Sequence, residues 1–404
     1  MTTGWQTRKL CEVSDTFDGP HATPKTVDYG PIYLGIGALQ DGVINLSDTR
    51  HVTDDDFTVW TRRVRPQAND VVFSYETRIG QAAIIPDGLE CCLGRRMGLI
   101  RFNQEKVIPR FFLYQYFSPQ FRDFLESKTI RGATVDRVSI KDFPSFPILV
   151  APLSEQRRIV AILDEAFEAI TAARTNAEQN RQNARALFES YLQSVFSQRG
   201  GEWEKTTLEK VLKVQPQNGW SPPAANHSDS GTPVLTLSSV TGFQFKADKI
   251  KFTSAPTNNM GRYWVKNGDL LITRSNTPNL VGHVAIASDI NQPTIYPDLI
   301  MRMNPDPERV ITEFLYFQLR TPALRQEIMG RAQGANPTMK KISNGAVKTL
   351  PIVVPRLETQ SSIAQSLNQL TIETQRLESL YQRKIAALDE LKQSLLQQAF
   401  SGNL

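Results

Sequence analysis

The side chains best placed to do chemistry in this sequence are cations and amides, grouped in stretches rich in glycine, proline and asparagine. In the first half they are Lys25 in Thr23-Pro-Lys25, the group Arg62, Arg63 and Arg65, the pair Tyr75 and Arg78, and Arg131 with Thr134. In the second half they are Trp220 and Ser221 after Asn218-Gly219, then Arg274, Asn276, Thr277 and Asn279, and finally Arg331, Asn336, Lys340 and Lys341. Arginine, lysine and hydroxyl groups donate to phosphate oxygens. The planar guanidinium and amide groups match the paired donors and acceptors on base edges. These residue types point to recognition of a nucleic acid.

Bond-making chemistry has much less support. The sequence holds no Gly-x4-Gly-Lys-Ser/Thr phosphate loop and no Gly-x-Ser-x-Gly elbow. Gly35-Ile-Gly37 lacks the third glycine of a dinucleotide fingerprint and reads as a turn. The Asn/Asp-Pro-Pro-Tyr/Phe tetrapeptide of amino-methyltransferases is missing; Asn336-Pro337-Thr338-Met339 does not supply it. His21, His51, His227 and His283 are scattered, without the spacing of a metal site. Asp54-Asp55-Asp56 reads as a solvated acidic turn, and His283, which replaces Gln81 in the repeat described next, reads as a position hardly fixed by chemistry. No catalytic centre and no metal are expected.

The elements that must position the cationic loops are written twice. Trp5-x4-Leu10 aligns with Trp203-x4-Leu208, Asp70-Val-Val-Phe-Ser with Asp269-Leu-Leu-Ile-Thr, and Gly80-Gln-Ala-Ala-Ile with Gly282-His-Val-Ala-Ile. Further on, Phe112-Leu-Tyr114 aligns with Phe314-Leu-Tyr316, Gly132-Ala133 with Gly334-Ala335, and Phe146-Pro-Ile with Leu350-Pro-Ile. The offset drifts only from 198 to 204, which short loop insertions explain. A period this long is a duplicated domain and not a solenoid repeat.

Each copy begins with short β-branched runs between turn residues, so the fold class is α+β. Helices are predicted at Pro109–Ser127 and Glu308–Met329, each interrupted by a proline, Pro119 and Pro322. A long helix follows each proline-rich end. In copy one, Ile159, Leu163, Ala166, Ile170, Ala173, Ala177, Asn180, Ala184, Leu187, Tyr191 and Ser194 step 4-3-4-3. In copy two, Ile363, Leu367, Leu370, Thr374, Leu377, Tyr381, Lys384, Leu388, Leu391, Leu395 and Gln398 do the same. Such a pattern is the mark of a coiled coil. Ser154 reads as the N-cap of the first long helix, with Arg157 standing where a capping box needs Glu or Gln. The expected organisation is a globule over 1–152, a helix over 153–199, a second globule over 200–356 and a helix over 357–404. The two helices should pair antiparallel, giving a pseudo-twofold molecule with a globule at either end.

Composition narrows the setting. Of 404 residues, 40% are hydrophobic and 22% charged, as in ordinary globular chains. No apolar run is long enough to span a bilayer. The N-terminus lacks a signal-peptide layout, and Cys11, Cys91 and Cys92 cannot build a disulfide framework, so a reducing cytoplasm is expected. The net charge is +5. It is concentrated in residues 200–356, with 18 Lys and Arg against 12 Asp and Glu, whereas residues 1–152 carry 18 of each. A basic surplus suits a polyanion.

At its helix boundaries the chain resembles a known family. Pro152-Leu-Ser-Glu155-Gln156-Arg-Arg-Ile159 opens a long helix, and Leu-Lys-Gln-Ser-Leu-Leu-Gln-Gln-Ala-Phe-Ser-Gly-Asn-Leu closes the chain over 391–404. Both look like the specificity subunit of type I restriction-modification systems, along essentially the full length. In copy two the motif becomes Pro355-Arg-Leu-Glu-Thr-Gln360, one residue longer. The resemblance implies two target recognition domains, each reading half of a bipartite, asymmetric site on double-stranded DNA, with the helical pair setting the unread spacer. It implies no catalytic centre in this chain and recruitment of two methyltransferase subunits, which use S-adenosylmethionine to methylate adenine N6. Restriction subunits that use ATP and magnesium can join. The alternatives are an autonomous methyltransferase or nuclease with an unrecognised site, and a coiled-coil adaptor that binds two proteins.

Overall fold

The computed structural model describes residues 4–132, 135–197, 203–336 and 338–404. It divides into two compact units, one of residues 1–178 with 382–404 and one of residues 179–381. Both long helices are therefore shared between the units.

In the first unit a four-stranded antiparallel sheet runs Ser14–Asp18, Met97–Phe102, Val71–Ser74, Ala82–Ile84. Val71–Ser74 is buried along its whole length, which is why it reads as an apolar run with no alternation. Gln6–Lys9 pairs with Pro147–Val150 and ties the two ends of the globule together. A smaller sheet joins Arg50–His51, Val27–Leu34 and Cys91–Leu93. Cys91 and Cys92 are buried here, and desolvation pushes both thiols up to about 12, so they pack as small apolar groups. The triple aspartate is not a turn. Asp54–Asp56 form the first turn of a helix, Asp54–Trp60, capped by Thr53, where negative charge meets the positive end of the helix dipole.

The second unit repeats the sheet as Leu212–Asn218, Ile300–Pro305, Leu270–Thr273, Val284–Ile286, and its end-tying pair as Glu204–Thr207 with Pro351–Val354. The interrupted helices fall where the prolines put them. Pro109–Phe117 gives way to Pro119–Ser127, and Thr312–Arg320 to Pro322–Arg331, with Pro119 and Pro322 each starting the second helix. That is the position where a missing N–H costs nothing.

Packing corrects the alignment of these helices by one residue. Gln115 clamps Leu149 through both its main-chain groups, at 3.1 and 3.0 Å. Gln318 clamps Val353 in the same way, at 2.9 and 3.4 Å. Trp5 meets Phe111 edge-on with ring centres 5.9 Å apart, and Trp203 meets Phe314 at 6.1 Å. Phe111 therefore corresponds to Phe314. The identical Phe-Leu-Tyr strings lie one position out of phase.

The long helices span Leu153–Ser197 and Leu357–Ser401, 45 residues each. Ser154 lies inside the first turn and is not the N-cap; the carbonyl of Pro152 receives the N–H groups of Glu155 and Gln156, both at 2.9 Å. Gln156 then organises the junction. Its Oε1 accepts from Ile108 N at 2.8 Å, and its Nε2 donates to the carbonyls of Lys106 and Ala151, each at 2.8 Å. Gln360 makes the matching set with Ile311, Arg309 and Pro355 at 2.8, 3.0 and 2.8 Å. The extra residue in the second motif thus leaves the junction intact.

Within each unit the helices run antiparallel and also pack on the globule. Ile159 and Leu163 share a core with Leu396, Ala399 and Phe400, while Phe188, Leu192 and Phe196 share one with Ala364 and Leu367. The heptad frame drifts toward the helix ends. Leu187 and Tyr191 are 61% and 41% exposed, and the buried stripe runs Ala184, Phe188, Leu192, Phe196. Four residues turn a helix through about 400°, so a stripe that advances by fours winds about 40° per step and leaves the 3.5-residue seam.

Candidate nucleic-acid interface

In both globules the sheet ends in a polar floor at the same edge. Gly19 follows the strand Ser14–Asp18 and donates to Met97 O at 2.9 Å; Gly219 follows Leu212–Asn218 and donates to Ile300 O at 3.1 Å. A side chain at either glycine would collide with main-chain oxygens, which is why both are glycine. Tyr75 and Arg274 occupy one repeat position, since the carbonyl of Tyr75 accepts from Val138 N at 2.8 Å and that of Arg274 from Ile342 N at 2.9 Å. The next residues bridge the next strand, Glu76 to Arg137 and Ser275 to Lys341.

The floor of the first globule centres on Asp18. Tyr75 Oη donates to its carboxylate at 2.8 Å, His21 Nε2 lies 2.8 Å from the other oxygen, and Arg63 Nη1 donates to its main-chain oxygen at 3.0 Å. Arg96 sits 3.3 Å from Glu76, out of line for a hydrogen bond, and 3.3 Å from His21. A cavity of about 320 Å³ opens beside these groups, lined by Asp18, His21, Trp60, Arg62 and Arg63.

Tyr75 is not a surface reader. It is 3% exposed inside the apolar core, and burial, reinforced by Asp18, raises its phenol well above the ordinary range. Arg78 is half-buried and spends a donor on Gly37 O at 3.0 Å. Arg65 is held by Glu90 and stacks over Phe57, and Arg131 is held by Glu126 and Asp136. Lys25, Arg62 and Arg63 remain at the surface. Thr134 lies outside the described residues.

The second floor gathers more of the candidates. Trp220 N donates to Tyr296 O at 2.9 Å, and Ser221 Oγ bonds the carboxylate of Asp298. Arg274 Nη1 reaches the carbonyl of Asp298 at 3.4 Å and its carboxylate at 3.9 Å. Asn276 pairs with Lys340 in the short ladder and donates to Thr241 Oγ1 at 3.2 Å. Thr277 and Asn279 are exposed on the loop that follows. Asn336 caps its own turn by accepting from Thr338 at 2.9 Å, and Lys341 is exposed beside Lys340. Arg331 is not available. It bonds Glu327, Ala346 O and Thr349, which fixes one helix to the next.

Sequence reasoning did not single out Asp18, His21, Arg96, Arg137 and Asp298. The paired Asp18-Gly19 and Asn218-Gly219 were the available signal. His283 also needs correction. Gln81 Oε1 accepts Asp41 N at 2.8 Å, and His283 Nδ1 accepts Gly242 N at 3.0 Å, so both side chains serve an equivalent loop. His283 Nε2 faces Asn279 O at 3.1 Å, which fixes the neutral tautomer. Burial, then nearby Arg325, lowers its pKa to about 4.

The folded unit refuses a proton that the unfolded chain accepts below the ordinary value of 6.5. This contribution to stability is therefore complete above pH 6.5 and falls as the pH drops toward 4, by about 3 kcal/mol at most. Denaturant unfolding followed across that window is expected to show the loss, and His283→Gln, which can accept the same N–H, is expected to flatten it.

Duplicated floors of cations, amides and carboxylates on one α+β scaffold define a two-domain reader of polar macromolecular surfaces. Among the described residues no group of three or more His, Cys, Asp or Glu could hold a metal ion. The chain matches the type I restriction modification DNA specificity domain over residues 3–179 and again over 200–385, and it belongs to that family.

It is 24% identical over 393 residues to the type I restriction enzyme EcoKI specificity subunit of Escherichia coli K12, covering 93% of this chain and 83% of that subunit. It is 21% identical over 393 residues to the StySPI specificity subunit of Salmonella potsdam, with the same coverage of 93% and 83%. A chain from a solved type I R-M system, described for its complex assembly and conformational transition, matches with a TM-score of 0.77 at 21% identity, over 100% of this chain and 99% of that one. The HsdS subunit of Thermoanaerobacter tengcongensis matches at 0.60 and 22% identity, over 100% and 98%. Both share the fold. This chain is a DNA-recognition component of a type I system and not the catalytic one. Among the described residues no helix is long and apolar enough to cross a membrane.

Proposed function

We propose that each globule reads one half of an asymmetric, bipartite site on double-stranded DNA, and that the chain brings two adenine-N6 methyltransferase subunits to it in the cytoplasm. Those subunits take their methyl group from S-adenosylmethionine, and restriction subunits that use ATP and magnesium join the same assembly. The observation that carries this reading is the repeated floor. One scaffold holds Asp18, Tyr75 and Glu76 in the first globule where it holds Asn218, Arg274 and Ser275 in the second. Retained strands with altered polar ends are what two readers of different sequences require. Adenine in a duplex is reached by flipping it out, so the floors must hold DNA that is locally distorted.

A genome-wide map of N6-methyladenine, with the gene deleted and then restored, tests this. One split motif is expected to vanish and return; an unchanged map would count against the reading. At finer scale, Lys340→Ala is expected to weaken binding to all duplexes alike and to reduce the salt slope by about one, as loss of a phosphate contact does. Titration of purified chain at several salt concentrations measures both.

A further inference from the structure

The arginines of the two globules fall into two groups. Arg101 is locked, with Nε and Nη2 on the carboxylate of Asp70 at 2.8 and 2.6 Å. In the second globule Arg302, which stands at the repeat position of Leu99, is likewise spent, on Trp264 O, Arg262 O and Asp269 at 2.9, 2.8 and 3.4 Å. Arg63 and Arg274 are held differently. Each sends Nη1 to the main-chain oxygen of an aspartate, at 3.0 Å for Asp18 and 3.4 Å for Asp298, and each stands 3.9 Å from that aspartate's carboxylate. A separation of 3.9 Å is beyond a hydrogen bond, so most of the guanidinium fork is unspent. Among the described residues Arg274 Nε is buried and has no hydrogen-bond partner, and an unmade bond at a buried donor is costly.

This arrangement was not inherited from the duplication. At the repeat position of Arg274 the first globule carries Tyr75, and its loosely held arginine comes from the Arg62-Arg63 loop. The two floors reach the same geometry from different positions. In each case the aspartate engages one nitrogen, Nη1, and leaves the rest of the fork for a bidentate partner such as guanine, which offers O6 and N7 in the major groove.

Resting on the reading of two half-sites given above, we infer that Asp18 and Asp298 are latches that hold Arg63 and Arg274 ready to read one guanine in each half-site. Asp298 is a positioning residue, since it aims the arginine and then yields its place to the base. Ser221 and the N–H of Asp298 keep that latch in register, with Asp298 N donating to Ser221 Oγ at 3.2 Å.

The test uses the full chain and a panel of duplexes built on the motif that the methylation map returns, with each guanine replaced in turn. Arg274→Lys keeps the charge and removes the fork. It is expected to lower discrimination at one guanine of one half about 10- to 100-fold, as loss of a bidentate contact does, and to leave the other half unchanged. Arg63→Lys is expected to do the same in the other half. Asp298→Asn is expected to raise affinity for all duplexes a few-fold while blurring the guanine that Arg274 reads.

The inference is overturned if Arg274→Lys leaves discrimination unchanged, if both lysine variants blur the same half, or if either half contains no guanine. Unfolding midpoints of the variants separate a lost contact from a damaged globule. If the wild-type chain returns no split motif, it is the reading of two half-sites that fails.

Discussion

Alanine in place of Gln156 is expected to destabilise the first unit by about 3–5 kcal/mol, and Gln360→Ala to do the same to the second. Both side chains are fully buried, at 0% exposure. Each satisfies one main-chain N–H and two main-chain carbonyls at the point where a globule hands the chain to a long helix. Truncation leaves three buried polar groups without partners, and each such group costs roughly 1–3 kcal/mol, partly recovered by relaxation or water. Glutamate is expected to be no better, because an ionised carboxylate cannot donate to Lys106 O and Ala151 O. Amide exchange locates the effect: the N–H of Ile108 should lose protection in Gln156→Ala, and that of Ile311 in Gln360→Ala. Equal loss in both units from one substitution, or a change below about 1 kcal/mol, would show that the amide is not what fixes the junction.

These glutamines also show what was legible in the sequence. Pro152-Leu-Ser-Glu155-Gln156 and Pro355-Arg-Leu-Glu-Thr-Gln360 could be paired as letters, but letters give no reason to align glutamine with glutamine and not proline with proline. Hydrogen bonding gives the reason, since only the glutamine alignment preserves three main-chain partners. The same holds on the aromatic helix, where the Phe-Leu-Tyr string misled by one residue and Trp5 and Trp203 set the register through Phe111 and Phe314. The duplication, the α+β class and the long helices are long-period features, and periodicity survives small errors of alignment. The heptad seam was legible only in part, because near a globule the buried stripe advances by fours and departs from the seven-residue repeat.

Site residues were harder for a physical reason. A cation in a polar loop carries no mark that tells a reader from a clamp. Arg331 and Arg274 look alike as letters, yet Arg331 is spent on Glu327, Ala346 O and Thr349, and Arg274 keeps most of its donors. Tyr75 stands three residues before Arg78 in a polar loop, yet it belongs to the core, with its hydroxyl committed to Asp18. Asp18 and Asp298 carry no mark in the sequence that points to nucleic acid. Their role follows from what they hold, and that is visible only when the sheet ends are assembled.

Two glycine substitutions in one globule should differ in sign, which makes them a sharp test of how the floor is built. In Gly219→Ala the new Cβ would lie 2.1 Å from Tyr296 O and 2.4 Å from Pro297 O. Neither is a flexible side-chain tip, so main chain must move, and the cost is expected to be about 3 kcal/mol or more. The segment that moves carries Asp298, and Gly219 itself leads into Trp220 and Ser221, so the polar groups around Arg274 separate. Discrimination in the half-site read by the second globule should fall together with stability. Gly330, in the helix Pro322–Arg331, has nothing among the described residues within 4 Å of an added Cβ and no left-handed backbone. There alanine removes only the entropy cost of a helical glycine, and Gly330→Ala is expected to stabilise by roughly 0.5–1 kcal/mol without altering the motif. Gly19→Ala, with its Cβ 2.6 Å from Met97 O, should reproduce the first result in the other half-site. Chemical unfolding and the methylation map of each variant measure the two consequences separately. A Gly219→Ala chain that is destabilised yet reads both halves normally would place the DNA contacts away from this edge of the sheet.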